Sequence, residues 1–168
     1  MDPSGGDGEL VDLHRHLVRI VTGVSGDPAL ADDAAQEALA RLWDADRADR
    51  GPDNREAWAT RVALNWARSW LRRRGAERRA VARLEALAVA TDRSDPYVGL
   101  SLDVRRAVLA LPYRQREVVV LHYLADVYIA GIAAITGTTE GAVKNALFNA
   151  RKSLGATITK NTVEGEAR

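Results

Sequence analysis

Apolar residues recur at every third or fourth position along most of this 168-residue chain, and no segment sustains a period-two alternation of apolar and polar residues. This spacing places apolar side chains along one face of an α-helix, whereas a half-buried strand requires period two. The sequence therefore predicts an all-α fold.

The first set of predicted helices covers roughly residues 10–21, 28–43 and 55–74. Asp27 is placed to cap the second helix, and Pro28 suits its first position. The apolar stripe of the third helix comprises Ala59, Val62, Ala63, Trp66 and Trp70. We expect its two tryptophans to belong to the core of a small bundle.

A second set of predicted helices follows a polar break at residues 91–99 and covers about 102–111, 114–124, 128–135 and 140–155. Two short helices joined by a brief turn that contains glycine are typical of a helix-turn-helix motif. In the last helix, Thr139 is placed to cap the N-terminus, while Val143 and Leu147 are expected to be buried.

These patterns predict two small helical domains joined by a flexible linker. The predicted boundaries are a disordered N-terminus at 1–9, domains at 10–85 and 102–158, a linker at 86–101 and a tail at 159–168.

The formal net charge of +1 conceals a strong segregation of charge along the chain. Residues 1–53 hold twelve acidic and five basic residues, whereas residues 61–83 hold eight arginines and a single acid, Glu77. Residues 141–160 contain four basic residues and no acid. Segregated charge indicates an acidic face for one partner and basic faces for a polyanion, although solvated surfaces can also carry charge runs.

Composition also excludes several kinds of chemistry. Cysteine is absent, which excludes disulfides, thiolate metal sites and cysteine nucleophiles, and only three histidines occur. No apolar run is long enough for a membrane span, and the N-terminus does not resemble a signal peptide. We therefore expect a cytoplasmic protein with no catalytic residue, no metal site, no cofactor and no membrane insertion.

Three segments are candidate binding surfaces, and each has a plainer alternative. Helix-turn-helix shapes also occur as packing corners. The arginines and tryptophans of 58–79 fit a nucleic-acid strand with accessible bases, but they also fit the rim and core of a bundle. The carboxylates of the second helix have the spacing of a catalytic pair, but no nucleophile–base pair accompanies them. Docking of this helix on a basic partner is therefore favoured over catalysis.

Taken together, the three segments resemble bacterial RNA polymerase sigma factors of the extracytoplasmic-function (ECF) group. LADDAAQEALARLW at 30–43 resembles the helix that binds core polymerase in that family. AWATRVALNWARSWLRRRGAERR at 57–79 resembles its promoter-melting and −10-reading helix. Residues 111–154 are similar to its C-terminal domain, which reads the −35 element.

The resemblance implies a role for each segment. Core polymerase, through its β′ and β subunits, would be contacted by Asp33, Gln36, Glu37, Arg41, Leu42 and Trp43. The −10 DNA would be contacted by Asn65, Arg68, Ser69, Arg72 and Arg73, with a pocket for a flipped base at about 44–54. The −35 major groove would be contacted by Lys144, Asn145, Phe148, Asn149 and Arg151.

The resemblance also implies a function in promoter recognition, DNA melting and transcription initiation, with promoter DNA and an anti-sigma factor as further partners. Departures from the family pattern include Gly131 in place of a glutamate, Ala142 in place of a threonine, and Ser69 in place of an aspartate. Ala146 and Asn149 stand where basic residues are common, so we expect weak electrostatic −35 binding with a shallow salt dependence.

Two alternative functions stay open at this point. One is a sigma-like regulator whose C-terminal domain has degenerated, and the other is a helix-turn-helix regulator that acts without polymerase.

Overall fold

A computed structural model describes residues 4–73 and 102–166 of the chain, and these residues contain helices and no strand. The all-α prediction is therefore confirmed. The chain divides into two compact units, Met1–Pro96 and Tyr97–Arg168. The end of the predicted −10 segment and the predicted linker at 86–101 lie outside the described residues.

In the first unit, helices α1 (Ser4–Ser25), α2 (Pro28–Arg47) and α3 (Arg55–Arg73) pack against one another. The central helix presents small side chains to both neighbours, because its fully buried positions include Ala31, Ala34, Ala35 and Ala38. Small side chains at a helix–helix contact allow the axes to approach closely. This bundle fixes the exposed faces of α2 and α3.

Caps set the starts of α2 and α3. The Asp27 side chain accepts a hydrogen bond from the Leu30 amide at 3.0 Å, and Pro28 occupies the first turn, as predicted. The Asn54 side chain accepts one from the Ala57 amide at 2.9 Å. Each cap satisfies an amide that the first turn of a helix leaves without a backbone partner.

Two expectations for this unit were wrong. Helix α1 begins at Ser4, so residues 4–9 are helical rather than disordered. Its first turns extend a helix that the buried residues from Leu13 onward already stabilise, and the Glu9 carboxylate lies 3.8 Å from Arg55 Nε of α3. Propagating an existing helix is much easier than nucleating one.

The second wrong expectation concerns the core face of α3. Its buried residues are Ala59, Thr60, Ala63, Leu64 and Ala67. Trp66 and Trp70 are only half-buried and flank this face. Because the alanines of α2 allow a close approach, the interface favours small residues and leaves the large indoles at its edge.

The second unit contains helices α4 (Leu102–Ala110), α5 (Tyr113–Val119), α6 (Ile129–Thr136) and α7 (Glu140–Glu166). Helix α5 continues directly into a π-helical turn at Val120–Leu124. Helix α7 packs against α4, α5 and α6, and it runs past the predicted end at about residue 155.

The predicted helix-turn-helix consists of α6, a short turn and α7. Gly137 ends α6 in the left-handed region with a φ of +66°, a conformation that favours glycine. The Thr139 hydroxyl accepts a hydrogen bond from the Ala142 amide at 3.2 Å, which confirms the predicted cap. Val143 and Leu147 are buried, also as predicted.

No helix among the described residues combines the length and apolar character needed to cross a membrane.

Candidate polymerase and promoter interfaces

Helix α2 carries an acidic face on the side opposite its buried alanines. Asp33 and Gln36 are exposed, and Glu37 is half-buried with its carboxylate 2.8 Å from Arg41 Nη2. We call these four residues, together with Trp43, the acidic face. The Trp43 side chain is 57% exposed, which is unusual for so large an apolar group. An exposed tryptophan beside carboxylates suits docking on a basic protein surface.

Leu42 was predicted to belong to this surface, and the structure contradicts that prediction. Its side chain is 1% exposed and contributes to the core of the bundle. The helical repeat places position 42 above Ala38 on the buried side, whereas position 43 turns outward. Leu42 therefore supports the interface from behind and cannot contact a partner.

Helix α3 presents a row of polar and cationic side chains, called here the arginine row: Asn65, Arg68, Ser69, Arg72 and Arg73. Asn65, Arg72 and Arg73 are exposed, while Arg68 and Ser69 are half-buried. Arg68 Nη1 donates to Asn65 Oδ1 at 3.5 Å, and Arg72 Nη2 lies 3.4 Å from Ser69 Oγ. The structure thus brings all five predicted residues together on one side of the helix.

The half-buried Trp66 and Trp70 lie on the same helix as the arginine row. Guanidinium groups can bind phosphates, and partly exposed indoles can stack on unpaired bases. This combination suits a nucleic-acid strand that has been separated from its complement.

Between α2 and α3, an ion pair holds the loop that was predicted to receive a flipped base. Arg55 Nη1 donates to Asp46 Oδ2 at 2.6 Å, and the backbone around Gly51 approaches the Asp46 carboxylate closely. Beside the loop lies an open cleft of about 450 Å³, lined by Glu9, Leu10, Trp43, Asp46, Arg47 and Arg55. All six of these lining residues belong to helices α1, α2 and α3, and none lies in the loop between α2 and α3.

Helix α7 exposes the residues predicted to face a major groove, called here the recognition face: Lys144, Asn145, Phe148, Asn149 and Arg151. Phe148 is 66% exposed. Asn149 Nδ2 donates to Asn145 Oδ1 at 3.3 Å, and Lys144 Nζ lies 3.9 Å from Glu140 Oε2. Asparagine can pair with adenine edges, and phenylalanine can contact a thymine methyl group.

A contact between the recognition face and the π-helical turn that follows α5 was not predicted. Arg151 Nε donates to the Tyr123 hydroxyl at 2.6 Å, across 28 residues of sequence. Tyr123 follows the buried Val120 and Leu121 on the π-helical turn, and its side chain is 53% exposed. No local sequence signal could have identified this pair, because it depends on how α7 packs against α5.

Both units match models of known protein families. The family model of sigma-70 region 2 matches residues 10–77, and that of sigma-70 region 4 matches residues 101–154. The ECF sigma factor SigM of Mycobacterium tuberculosis is 32% identical over 141 residues, covering 84% of this chain and 70% of SigM. The ECF sigma factor SigF of Caulobacter vibrioides is 33% identical over 150 residues, covering 86% and 78%.

The chain belongs to the ECF group of RNA polymerase sigma factors.

A solved structure supports the fold of this sigma factor. The sigma factor RpoE of Bartonella quintana, crystallised in complex with the anti-sigma factor NepR, matches with a TM-score of 0.71 and 23% identity. The match covers 92% of this chain and 97% of that one. A probable sigma factor of Xanthomonas campestris, RfaY, is 31% identical, and the chain spans only 36% of its length.

Family membership gives the general role of the molecule. Sigma factors are regulatory proteins that bind RNA polymerase and promoter DNA, and neither matched family model describes a catalytic domain. The region 2 match contains the acidic face and the arginine row, while the region 4 match contains the recognition face.

Gly131, where the resemblance implied a glutamate, lies at a closely packed position of this sigma factor. A Cβ atom added at Gly131 would lie 2.9 Å from Val127 Cγ1 and 3.4 Å from the Tyr128 ring. A side chain at this position would therefore require the Val127 side chain to shift. Ala142 and Ala146 line an apolar crevice of about 210 Å³ together with Val118 and Val143.

Proposed function

We propose that this sigma factor binds core RNA polymerase through the acidic face of α2 and separates and reads the −10 DNA with the arginine row of α3. The recognition face of α7 holds the −35 element as a duplex. In this proposal, residues 10–85 and 102–158 are the two functional domains, residues 86–101 are their linker, and the protein acts in the cytoplasm.

The observation that carries the proposal is the separation of opposite charges onto two helices of one bundle. The acidic face presents carboxylates and an exposed indole, whereas the arginine row presents guanidinium groups close to two half-buried indoles. A polymerase surface and a DNA strand could therefore bind at the same time without competing for the same residues.

The division between the two DNA contacts follows from the energy of strand separation. Opening a duplex costs about 1.4 kcal/mol for each stacked step, so the −10 site needs groups that capture unpaired bases. The arginine row and its neighbouring indoles fit that task. The −35 contact keeps the duplex, for which a groove-reading helix is sufficient.

Binding to the β′ and β subunits is tested by measuring the affinity of the full chain for core polymerase. Asp33→Lys should weaken that affinity at least about tenfold, because a cation would face a basic partner. Asp12→Lys is the matched control, since Asp12 is an exposed acid of the same bundle outside the acidic face. Equal losses in both variants would contradict the proposed interface.

Strand opening is tested with holoenzyme on promoters recovered by sequencing the DNA that it protects. Permanganate reactivity of −10 thymines should fall severalfold for Arg72→Gln. Arg19→Gln, which removes an exposed arginine of α1, should leave it unchanged. A selected promoter that is bound but neither opened nor transcribed would favour the sigma-like regulator without initiation activity.

The Bartonella relative was crystallised with an anti-sigma factor, and we extend the proposal to a partner of that kind for this chain. Such a partner would lower transcription by competing with core polymerase for the acidic face. The fluorescence of Trp43 is obtained as the difference between the parent and Trp43→Phe, because the chain has four tryptophans. Protection of this fluorescence from quenching in a purified complex would support the site, and unaltered access to Trp43 would contradict it.

A further inference from the structure

The π-helical turn places one aromatic side chain beside the recognition face. In this turn the Ala125 amide donates to the Val120 carbonyl at 3.0 Å, which is the wide hydrogen-bonding pattern of a π-helix. An added residue shifts the side chains that follow it relative to a regular α-helix. Val120 and Leu121 are buried, and Tyr123 emerges on the surface.

Neighbouring groups hold the Tyr123 ring in place. The His122 and Tyr123 rings meet edge to face, with centroids 4.7 Å apart and planes at 73°. His122 Nδ1 in turn lies 3.2 Å from the Val127 carbonyl oxygen, which can only accept a hydrogen bond. The ring is therefore anchored to the segment that leads into α6.

Tyr123 contacts Arg151 in two ways. Its hydroxyl accepts the 2.6 Å hydrogen bond from Nε, and Arg151 Cζ lies 5.7 Å from the ring centroid, within the range of a cation–π contact. Because Nε is the donor, the Nη1 and Nη2 groups keep the fork that can bind a phosphate with two parallel hydrogen bonds.

The Tyr123 hydroxyl restrains the Arg151 side chain and adds no negative charge beside it. Among the described residues, no carboxylate lies within ion-pair distance of Arg151, whereas Lys144 has Glu140 at 3.9 Å. Within the recognition face, Lys144 and Arg151 are the two cationic residues. Among the described residues, therefore, Arg151 is the cation of this face that has no carboxylate beside it.

We propose that Tyr123 is a positioning residue that presents the Arg151 guanidinium to a backbone phosphate of the −35 element. The inference rests on the proposed function, which places α7 on that element. A long arginine side chain loses rotamer freedom when it binds, and a contact that already restrains it removes part of that cost. We expect this restraint to strengthen promoter binding about threefold to tenfold.

The test measures the dissociation constant of holoenzyme, formed with the full chain, on its selected promoter between 50 and 200 mM KCl. Tyr123→Phe removes the hydroxyl and keeps the ring, so affinity should fall about threefold with little change in the salt slope. Tyr123→Glu keeps an acceptor but adds a negative charge. It should lower the slope of log K against log salt by about one, as Arg151→Gln should.

The double variant Tyr123→Phe/Arg151→Gln separates positioning from a merely structural role. If Tyr123 acts through Arg151, Tyr123→Phe should have no further effect once the arginine is absent. Tyr128→Phe is the matched control, because Tyr128 is an exposed tyrosine of the same unit, and it should leave affinity and slope unchanged.

Two results would overturn the positioning role alone. One is an equal loss of promoter affinity from Tyr123→Phe in the parent chain and in Arg151→Gln. The other is an unchanged salt slope for Tyr123→Glu. Both results count against the positioning role only if Arg151→Gln still weakens binding. If Arg151→Gln itself leaves affinity and slope unchanged, the proposed −35 contact of this arginine fails as well. These outcomes distinguish the failure of the inference from that of the proposed function.

Discussion

At the scale of single residues, Leu42 and Trp43 are neighbours with opposite environments. Leu42 is 1% exposed and Trp43 is 57% exposed. Trp43→Ala should weaken core polymerase binding by about 2 kcal/mol, or roughly 30-fold, because exposed tryptophans are frequent hot spots of interfaces. Its melting temperature should stay within a degree or two of the parent. Val11→Ala truncates another exposed apolar residue of the bundle and should change neither quantity.

Leu42→Ala should give the converse result. Truncating a buried leucine typically costs 2–5 kcal/mol, so thermal unfolding should shift down by about 10 °C or more. Core polymerase affinity, measured well below the melting transition, should change much less than in Trp43→Ala. A large loss of affinity with an unchanged melting temperature would show that Leu42 does contact core polymerase, contrary to its burial.

Gly131 allows a second prediction at this scale. Replacing a glycine within a helix by alanine commonly gains about 1 kcal/mol of stability. Here Gly131→Ala should destabilise the second unit, because the new Cβ would lie 2.9 Å from the stiff Val127 side chain. The double variant Gly131→Ala/Val127→Ala should be more stable than Val127→Ala alone. Chemical denaturation of all three variants tests this, and a stabilised single variant would contradict it.

At the scale of elements, the alanine face of α2 controls how the first unit packs. Ala35 is fully buried. Ala35→Leu adds three carbons to a close helix–helix contact and should destabilise the protein by about 1–3 kcal/mol. Ala40→Leu makes the same change on the exposed side of α2 and should be nearly neutral. Equal melting temperatures for the two variants would show that this face is not closely packed.

The helices themselves were largely predictable from sequence, because their caps and periodicity are local. Asp27, Pro28 and Thr139 start their helices where they were expected, and Gly137 ends α6. The misplaced core face of α3 has a different origin. Periodicity identifies an apolar stripe, but the space beside α2 decides whether an alanine or a tryptophan of that stripe is buried.

The candidate surfaces were predictable to a similar degree. The arginine row and the recognition face each lie within one helix. The family resemblance implied their residues, and helical spacing agreed by placing most of them away from the apolar stripe. The contact between Tyr123 and Arg151 and the cleft beside Trp43 each join residues from different elements. Helical spacing carries no information on such pairs, and only the packed structure brings them together.

At the scale of the whole molecule, the proposed function combines two modest DNA contacts in one chain. Linking two binding modules converts the second contact into an intramolecular event and can raise affinity 10²- to 10⁴-fold. That gain requires both contacts to form on the same DNA at once. The spacing and the helical phase of the two promoter elements should therefore be part of the specificity of this sigma factor.

Inserting five base pairs between the −35 and −10 elements tests this requirement. Such an insertion turns one element by about half a helical turn relative to the other. Run-off transcription by the holoenzyme should fall at least about 100-fold on this template. The same five base pairs placed upstream of the −35 element lengthen the DNA equally and should leave transcription unchanged. If both insertions were tolerated, the two units would act independently, and effective concentration would not explain promoter selectivity.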